Sequence, residues 1–435
     1  MCSVLNNVHG LRIIENVIFD SMGHIIFLET GAEIANVISN NLVALTRESI
    51  AMLNTELTPA SFHFSNLNNI NSGNAACGSH GYGFWYSPTN DGFMDVYSVT
   101  VCPHTTIVRS FQDNVAHSNA MGGMAIFSMH GLPIIPLYFQ CTLKDSPFAM
   151  NHFNGLIAYN NLGFGVMING DIGNMKLERF KLVNNTRTAL ILPARLRGRW
   201  DKQGLYDSVI SGGDGVMFGI RLANYHRWTV SGTTFEDFRD CGYLGTVYAC
   251  SGAVINFPVP CSLKKSGGWT TRFAKTTWLR APLRMGWKWE HQAVLQDQDG
   301  SFAETSGPAA VVPANSLLID PRAFPSCNVD LRYGVPRDYG CAGVYVSGLV
   351  CEGLEFRRFG IGVPESGNSE PNSLAKGSPI VISHGMTSGD QPYGRFINAL
   401  DDDWMLNTVR ASPHPAPRPL PTPRARPSTP IRPGL

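Results

Sequence analysis

The sequence predicts an all-β protein, a right-handed parallel β-helix with irregular insertions, and three observations carry that prediction. First, a short unit recurs: an apolar strand, an Asn or Ser turn, a Gly, then another apolar strand. It is plainest in ENVIFDSMGHIIFLE (15–29), FQDNVAHSNAMGGMAIF (111–127) and FNGLIAYNNLGFGVMI (153–168). Repetition on this scale marks an architecture in which each unit buries its apolar face against the next. Second, Asn doublets stand at the turns: Asn40-Asn41, Asn68-Asn69, Asn160-Asn161 and Asn184-Asn185. Asn tolerates left-handed backbone, and stacked copies bond as amide ladders. Third, 44 glycines and a charged content of 15% leave little material for long helices or a coiled coil. A β-sandwich is the competing architecture.

Residues 1–250 read as regular coils. Gly122 and Gly163 align between the two clearest units, and weaker copies follow at LERFKLVNNTRTALIL, LYDSVISGGDGVMFGI and WTVSGTTFEDFRDCGYLG. Residues 251–403 read as an irregular β-rich continuation; this part opens with a basic stretch holding four of the eight Trp. Residues 404–435 read as a disordered Pro/Arg-rich tail, since nine of the last 25 residues are Pro and such a segment cannot bury a core.

The formal net charge is +1, and the tail carries five Arg with no acid from Trp404 onward. Removing those five charges leaves −4 on the body, which argues against nucleic acid as a partner. Ten Cys without a CxxC pair disfavour zinc ribbons and thioredoxin-type chemistry and suit disulfides in an oxidising compartment. One glycosylation sequon, Asn184-Asn185-Thr186, is compatible with export. No basic-then-apolar leader opens the chain, and no unbroken apolar run is long enough for a membrane helix. The expectation is a fragment whose natural form extends upstream through a cap and an export signal.

Four segments carry a family resemblance: FDSMGHIIFLETG, NNINSGNAACGSHGYGFWY, FQDNVAHSN, and WKWEHQAVLQDQDGSF followed by VVPANSLL. In this order they resemble the right-handed β-helix region of the fibrocystin-L-like family. That family shares the region with the cell migration-inducing hyaluronan-binding protein and a transmembrane hyaluronidase. The resemblance runs over residues 6–360 and implies a large extracellular or membrane-anchored parent with an eight-glycine domain ahead of the β-helix. Where the family has an acid after its Leu-Glu pair, this sequence has Thr30, so the resemblance carries no acid role to that position.

His24 and Glu29 lie five apart and point to opposite faces of a strand. Asp113 and His117 lie four apart, so an extended segment puts both on one face, and they form the second pair to weigh for catalysis, the alternative for His117 being a hydrogen bond between coils. Asp214, a further catalytic candidate, sits among glycines that let a ligand approach closely, and a tight turn needs the same residues. The acidic cluster Glu236, Asp237 and Asp240 with Arg239 reads as a surface ion-pair group. Asp297 and Asp299 alternate with Ser301 as hard oxygen ligands suited to calcium, or as an Asx turn. Trp85, Tyr86, Trp287 and Trp289 are candidate stacking platforms for sugar rings, or else core. The functional expectation is an extracellular or cell-surface β-helix that recognises polysaccharide or matrix glycan. A hyaluronidase-like depolymerase and a structural stalk are the alternatives.

Overall fold

The structure, a computed structural model, describes residues 3–50, 57–88, 103, 106–127, 150–169, 175–192, 203–213, 218–222, 228–239, 241–244, 247–250, 252–256, 271–287, 294–314, 327–333, 348–362 and 403–411. Among them, short strands stack into three long parallel sheets. Each coil visits the sheets in one order, as in Ser110–Gln112 of sheet 1, Val115–His117 of sheet 2 and Gly122–Phe127 of sheet 3. Nine such coils follow one another, from 12–28 to 271–287. This is the parallel β-helix that the sequence predicts.

The corners explain the Asn-rich texture. Between sheets 1 and 2 each coil turns on two residues. The first takes a left-handed φ even when it is not glycine: Glu15 at 59°, Asn40 at 56°, Asp113 at 52°, Arg179 at 54°, Lys275 at 51°. Such a conformation costs an L-residue roughly 1–2 kcal/mol. It persists because the backbone N–H of that residue bonds the coil above, as Glu15 does to Ser39 O at 3.1 Å and Asp113 to Asn154 O at 3.1 Å. The second residue points inward. Asn16, Asn41, Asn74 and Asn114 form an amide ladder there, Asn16 Nδ2 donating to Asn41 Oδ1 and Asn41 Nδ2 to Asn74 Oδ1, each at 2.9 Å, and of the doublets that the sequence offers only Asn40-Asn41 contributes to it. Further along, Leu156 and Phe180 replace the amides, and the buried hydroxyl residues Ser208, Thr233 and Thr276 follow.

A second ladder runs at the corner between sheets 2 and 3. Asn119 Nδ2 donates to Asn161 Oδ1 at 2.9 Å, and Asn161 Nδ2 to Asn185 Oδ1 at 2.8 Å. These amides need room, which sheet 3 supplies with glycine. A Cβ on Gly83, Gly123 or Gly165 would meet Asn119, Asn161 or Asn185 at 3.1 Å or less. The register corrects the sequence alignment by one residue: Gly122 pairs with Phe164, so Gly123 and Gly165 are the equivalent pair and Gly163 belongs to the preceding turn.

The core fills complementarily. Sheet 2 contributes the small side chains Ala76, Ala116 and Ala158, and across from them sit Phe84, Tyr86, Phe111 and Phe153, whose rings meet edge to face at 5.4 to 6.0 Å. Further along the helix sheet 2 turns large, with Leu182, Ile210 and Phe235. The one amide in the sheet 1 core column, Asn71, is satisfied by the Tyr86 hydroxyl at 2.8 Å and by Asn74 Nδ2 at 2.7 Å.

After Leu295–Asp297 the parallel stacking ends. Ala309–Pro313, Gly348–Glu352 and Cys327–Asp330 add antiparallel to sheet 1, and Cys327 and Cys351, directly opposite one another, form a disulfide. Phe302 stacks on Phe273 at 4.0 Å, and the buried Tyr333 hydroxyl donates to Phe302 O at 2.6 Å, closing the core at this end. Arg284, nearly buried, lies over the Trp278 ring and pairs with Glu304 at 2.5 Å. The stretch read as a tail from residue 404 begins instead inside a strand, Asp403–Ala411, antiparallel to Leu354–Gly362. Residues 412–435 lie outside the described residues.

The ladder makes a measurable demand. Replacing Asn161 by Leu strands the Asn119 side-chain amide and the Asn119 backbone N–H, both of which donate to Asn161 Oδ1, at about 1–3 kcal/mol for each unpartnered group. Urea unfolding of Asn161→Leu should show a stability loss of roughly 2–5 kcal/mol with an unchanged slope. A loss under about 0.5 kcal/mol, the size of an ordinary surface change, would contradict the ladder's role.

Candidate functional site on the outer face of sheet 1

The structure separates the residues that the sequence singled out. Asp113 occupies the corner between sheets 1 and 2, its exposed carboxylate 3.5 Å from Arg179. His117 points outward from sheet 2, stacked on Tyr159 at 4.6 Å with its Nδ1 3.1 Å from Ser118 Oγ, and partial burial lowers its pKa. The shared face expected for this pair is corrected: the strand starts only at Val115, so Val115 and His117 share a face and Asp113 stands on the turn before it. Trp85 and Tyr86 are likewise corrected as exposed platforms. Tyr86 is core, stacked on Phe64 at 4.9 Å, and Trp85 is 6% exposed. Asp297 is buried and its oxygens accept the backbone N–H groups of Asp299, Gly300 and Ala303, while burial raises its pKa to about 6. Asp299 accepts from the backbone N–H groups of Lys275 and Ser301 and from Ser301 Oγ. The two acids thus hold an Asx-type turn. Asp237 pairs with Arg239 and Arg280 on the surface. Trp287 ends the strand Met285–Trp287, whose side chain is not among those described; Asp214, Asp240 and Trp289 lie outside the described residues.

The stacking assembles a different cluster, which sequence reasoning missed. Parallel register places Gln112, Asn154, Glu178 and Tyr206 in one outward row of sheet 1, with His152 and Lys176 in the row beside it. Successive members are one strand spacing apart, about 4.8 Å. Glu178 is held on both oxygens, by Lys176 Nζ at 2.7 Å and by His152 Nε2 at 2.7 Å. The Lys176 bond, ahead of burial working the other way, holds its carboxyl below the usual range. The Lys176 ammonium also lies 5.2 Å from the centre of the half-buried Tyr206 ring, and burial raises that phenol's pKa. Arg179 at the adjoining corner donates to Asn154 Oδ1 at 2.8 Å. Exposed ion pairs of this kind contribute only about 0–1 kcal/mol to stability, so folding alone gives little reason for the cluster. Its signal lay in the sequence only after coil alignment, which superposes HFN, KLE and GLY of residues 152–154, 176–178 and 204–206.

Chemically, the face offers amides and charged donors beside an accessible aromatic ring. Glu178 is the only carboxylate in the two outward rows of coils one to nine among the described residues. With its charged form stabilised it is poorly suited to donate a proton. A glycosidase of the usual type needs a second carboxyl facing the first across the bond.

A CEMIP beta-helix family model matches residues 1–124. Human fibrocystin-L is 29% identical over 336 residues, 72% of this chain. The chain is similar to the fibrocystin-L family. The mouse fibrocystin similarity is lower, 22% over 342 residues and again 72% of the chain. The human cell surface hyaluronidase CEMIP2 is 28% identical over 154 residues, 29% of this chain and 11% of its own length. The chain spans about 7% of the length of fibrocystin-L. No helix among the described residues is long and apolar enough to cross a membrane.

The matched segment also contains a buried histidine pair on the outside of sheet 3. His24 and His63 have ring centres 4.6 Å apart, and Trp85 and Phe27 pack against both. His24 Nδ1 accepts the Ala60 N–H at 3.0 Å, which requires a neutral ring in that tautomer. Burial lowers the pKa of His24 to about 4, and burial with the neighbouring His24 pushes His63 well below 6.5. Unfolding returns both rings to water, so their contribution is full above about pH 6.5 and is lost as pH falls toward 4. Histidine ring NMR should show both imidazoles neutral from pH 8 down to 5. Titration of either ring near 6.5 in the folded protein would contradict the packing described.

Proposed function

We propose that this chain is an extracellular β-helix module that binds polysaccharide along the outer face of sheet 1, without cleaving it. The observation that carries the reading is the row Gln112, Asn154, Glu178 and Tyr206, flanked by His152 and Lys176, in register on the outward side of sheet 1. Its pitch is comparable to the advance per sugar of a stretched polysaccharide, so neighbouring coils meet neighbouring sugars. Amide and charged groups bond hydroxyls, and the Tyr206 ring takes the apolar face of a sugar. The relatives named cell surface hyaluronidases support a glycan as ligand and the outside of the cell as location. The Cys327–Cys351 disulfide supports the same compartment.

The test is incubation of the purified chain with immobilised hyaluronan and other polyanionic and neutral glycans, with and without calcium. Retention without chain shortening supports binding, and Tyr206→Ala or Lys176→Ala should weaken it at least about tenfold, the scale of one good contact. His117→Ala, on another sheet, should leave it unchanged. Shortening of the glycan would instead select a depolymerase. Neither retention nor shortening would leave a structural module and overturn the proposal.

A further inference from the structure

The glycosylation sequon falls where the fold both exposes and tolerates a modification. Asn184-Asn185-Thr186 is the single Asn-X-Ser/Thr site in the 435 residues. The other Asn doublets at turns, Asn40-Asn41, Asn68-Asn69 and Asn160-Asn161, are each followed by Leu or Ile. At the corner between sheets 2 and 3 the two amides of the sequon part company. Asn185 turns inward and is fully buried as the last rung of the ladder. Asn184, with φ at 51°, turns outward and is exposed.

The bonding of Asn184 leaves a position for a sugar. Its Nδ2 donates one hydrogen, to Asn160 Oδ1 of the coil before at 2.8 Å. The second amide hydrogen has no acceptor among the described residues, so a substituent there leaves that bond intact. The coil after contributes Gly213, where an added Cβ would stand 3.2 Å from Asn184 Oδ1, so the absence of a side chain keeps the corner open. Asn184 stands at the opposite end of the strand Lys181–Val183 from Arg179, so this corner is not the one that borders the sheet 1 row.

We infer that Asn184 carries an N-linked oligosaccharide. Its donor would be an oligosaccharide on a polyprenyl pyrophosphate. The bond from sugar C1 to the phosphate oxygen breaks, the bond from C1 to Asn184 Nδ2 forms, the amide gives up one proton, and polyprenyl pyrophosphate leaves. Transfer needs the extended chain with its Thr hydroxyl before folding; the folded corner then holds the product in solvent, clear of the face proposed to bind polysaccharide. The inference rests on the extracellular reading given above.

The test is expression of the full chain behind a cleavable secretion leader in animal cells, followed by peptide mass spectrometry before and after amidase treatment. Amidase release should convert Asn184 to Asp, and both Asn184→Gln and Thr186→Val should abolish the modification. Thr186→Ser should keep it, and because Thr186→Val spares the Asn184 side chain, its loss of glycan is read independently of that corner bond. Secreted chain with unmodified Asn184 would overturn the site while leaving the extracellular reading standing. A chain modified at Asn184 but retained within the cell would support the site and count against export. A chain with its leader removed and Asn184 bare would overturn the site wherever it is found.

Discussion

Everything in this structure depends on register between parallel coils. A coil of three short strands cannot bury its own apolar side, and its corner residues adopt left-handed backbone that L-residues resist. The neighbouring coil resolves both problems together. Backbone N–H groups at the corners bond the next coil, and inward Asn side chains bond the amide directly above or below. A slip of one residue would turn each inward column outward and expose the buried amides. The two ladders therefore act as register keys as much as stabilising contacts. The Gly83, Gly123 and Gly165 column shows how tightly backbone and amide approach there.

The same register creates the candidate site. No local motif unites Gln112, Asn154, Glu178 and Tyr206, which are separated by 24 to 42 residues in sequence. Stacking brings them into a line because each follows the same position in its coil, one residue before the corner. Burial then sorts the aromatics. Phe84 and Tyr86 fill the space left by the alanines of sheet 2, while Tyr206 stays at the surface with a cation over its ring. A flank whose spacing is fixed by backbone hydrogen bonds is suited to a repeating ligand, since neither side needs to reorganise.

The fold was legible because its signals are local and repeated: Asn doublets, the glycine after them, and apolar strands of even length. The functional face was less so, for a physical reason. The spacing of Asp113 and His117 puts them on one face only in an extended segment, and the left-handed backbone at Asp113 breaks that extension. Trp85 and Tyr86 look like a platform by composition, yet composition does not say which side of sheet 3 is covered. Asp297 and Asp299 resemble cation ligands until their oxygens are followed to the N–H groups of their own turn. His152, Lys176 and Glu178 carry no signature singly. Only alignment of the coils at the correct residue brings them together, and in that register Gly122 stands beside Phe164, not Gly163.

The central claim, that coil register builds the sheet 1 row, is tested most directly by disulfide trapping. Asn154 and Glu178 are paired outward neighbours, and adjacent strands hold such Cα atoms about 4.8 Å apart, within disulfide reach. Cysteines introduced at Asn154 and Glu178 should cross-link under mild oxidation without loss of fold, as mapped by peptide mass spectrometry. Cysteines at Asn154 and Leu177, where the second faces the core, should not. Cross-linking of the Asn154 and Leu177 pair in preference to the first would place the coils in another register and contradict the account.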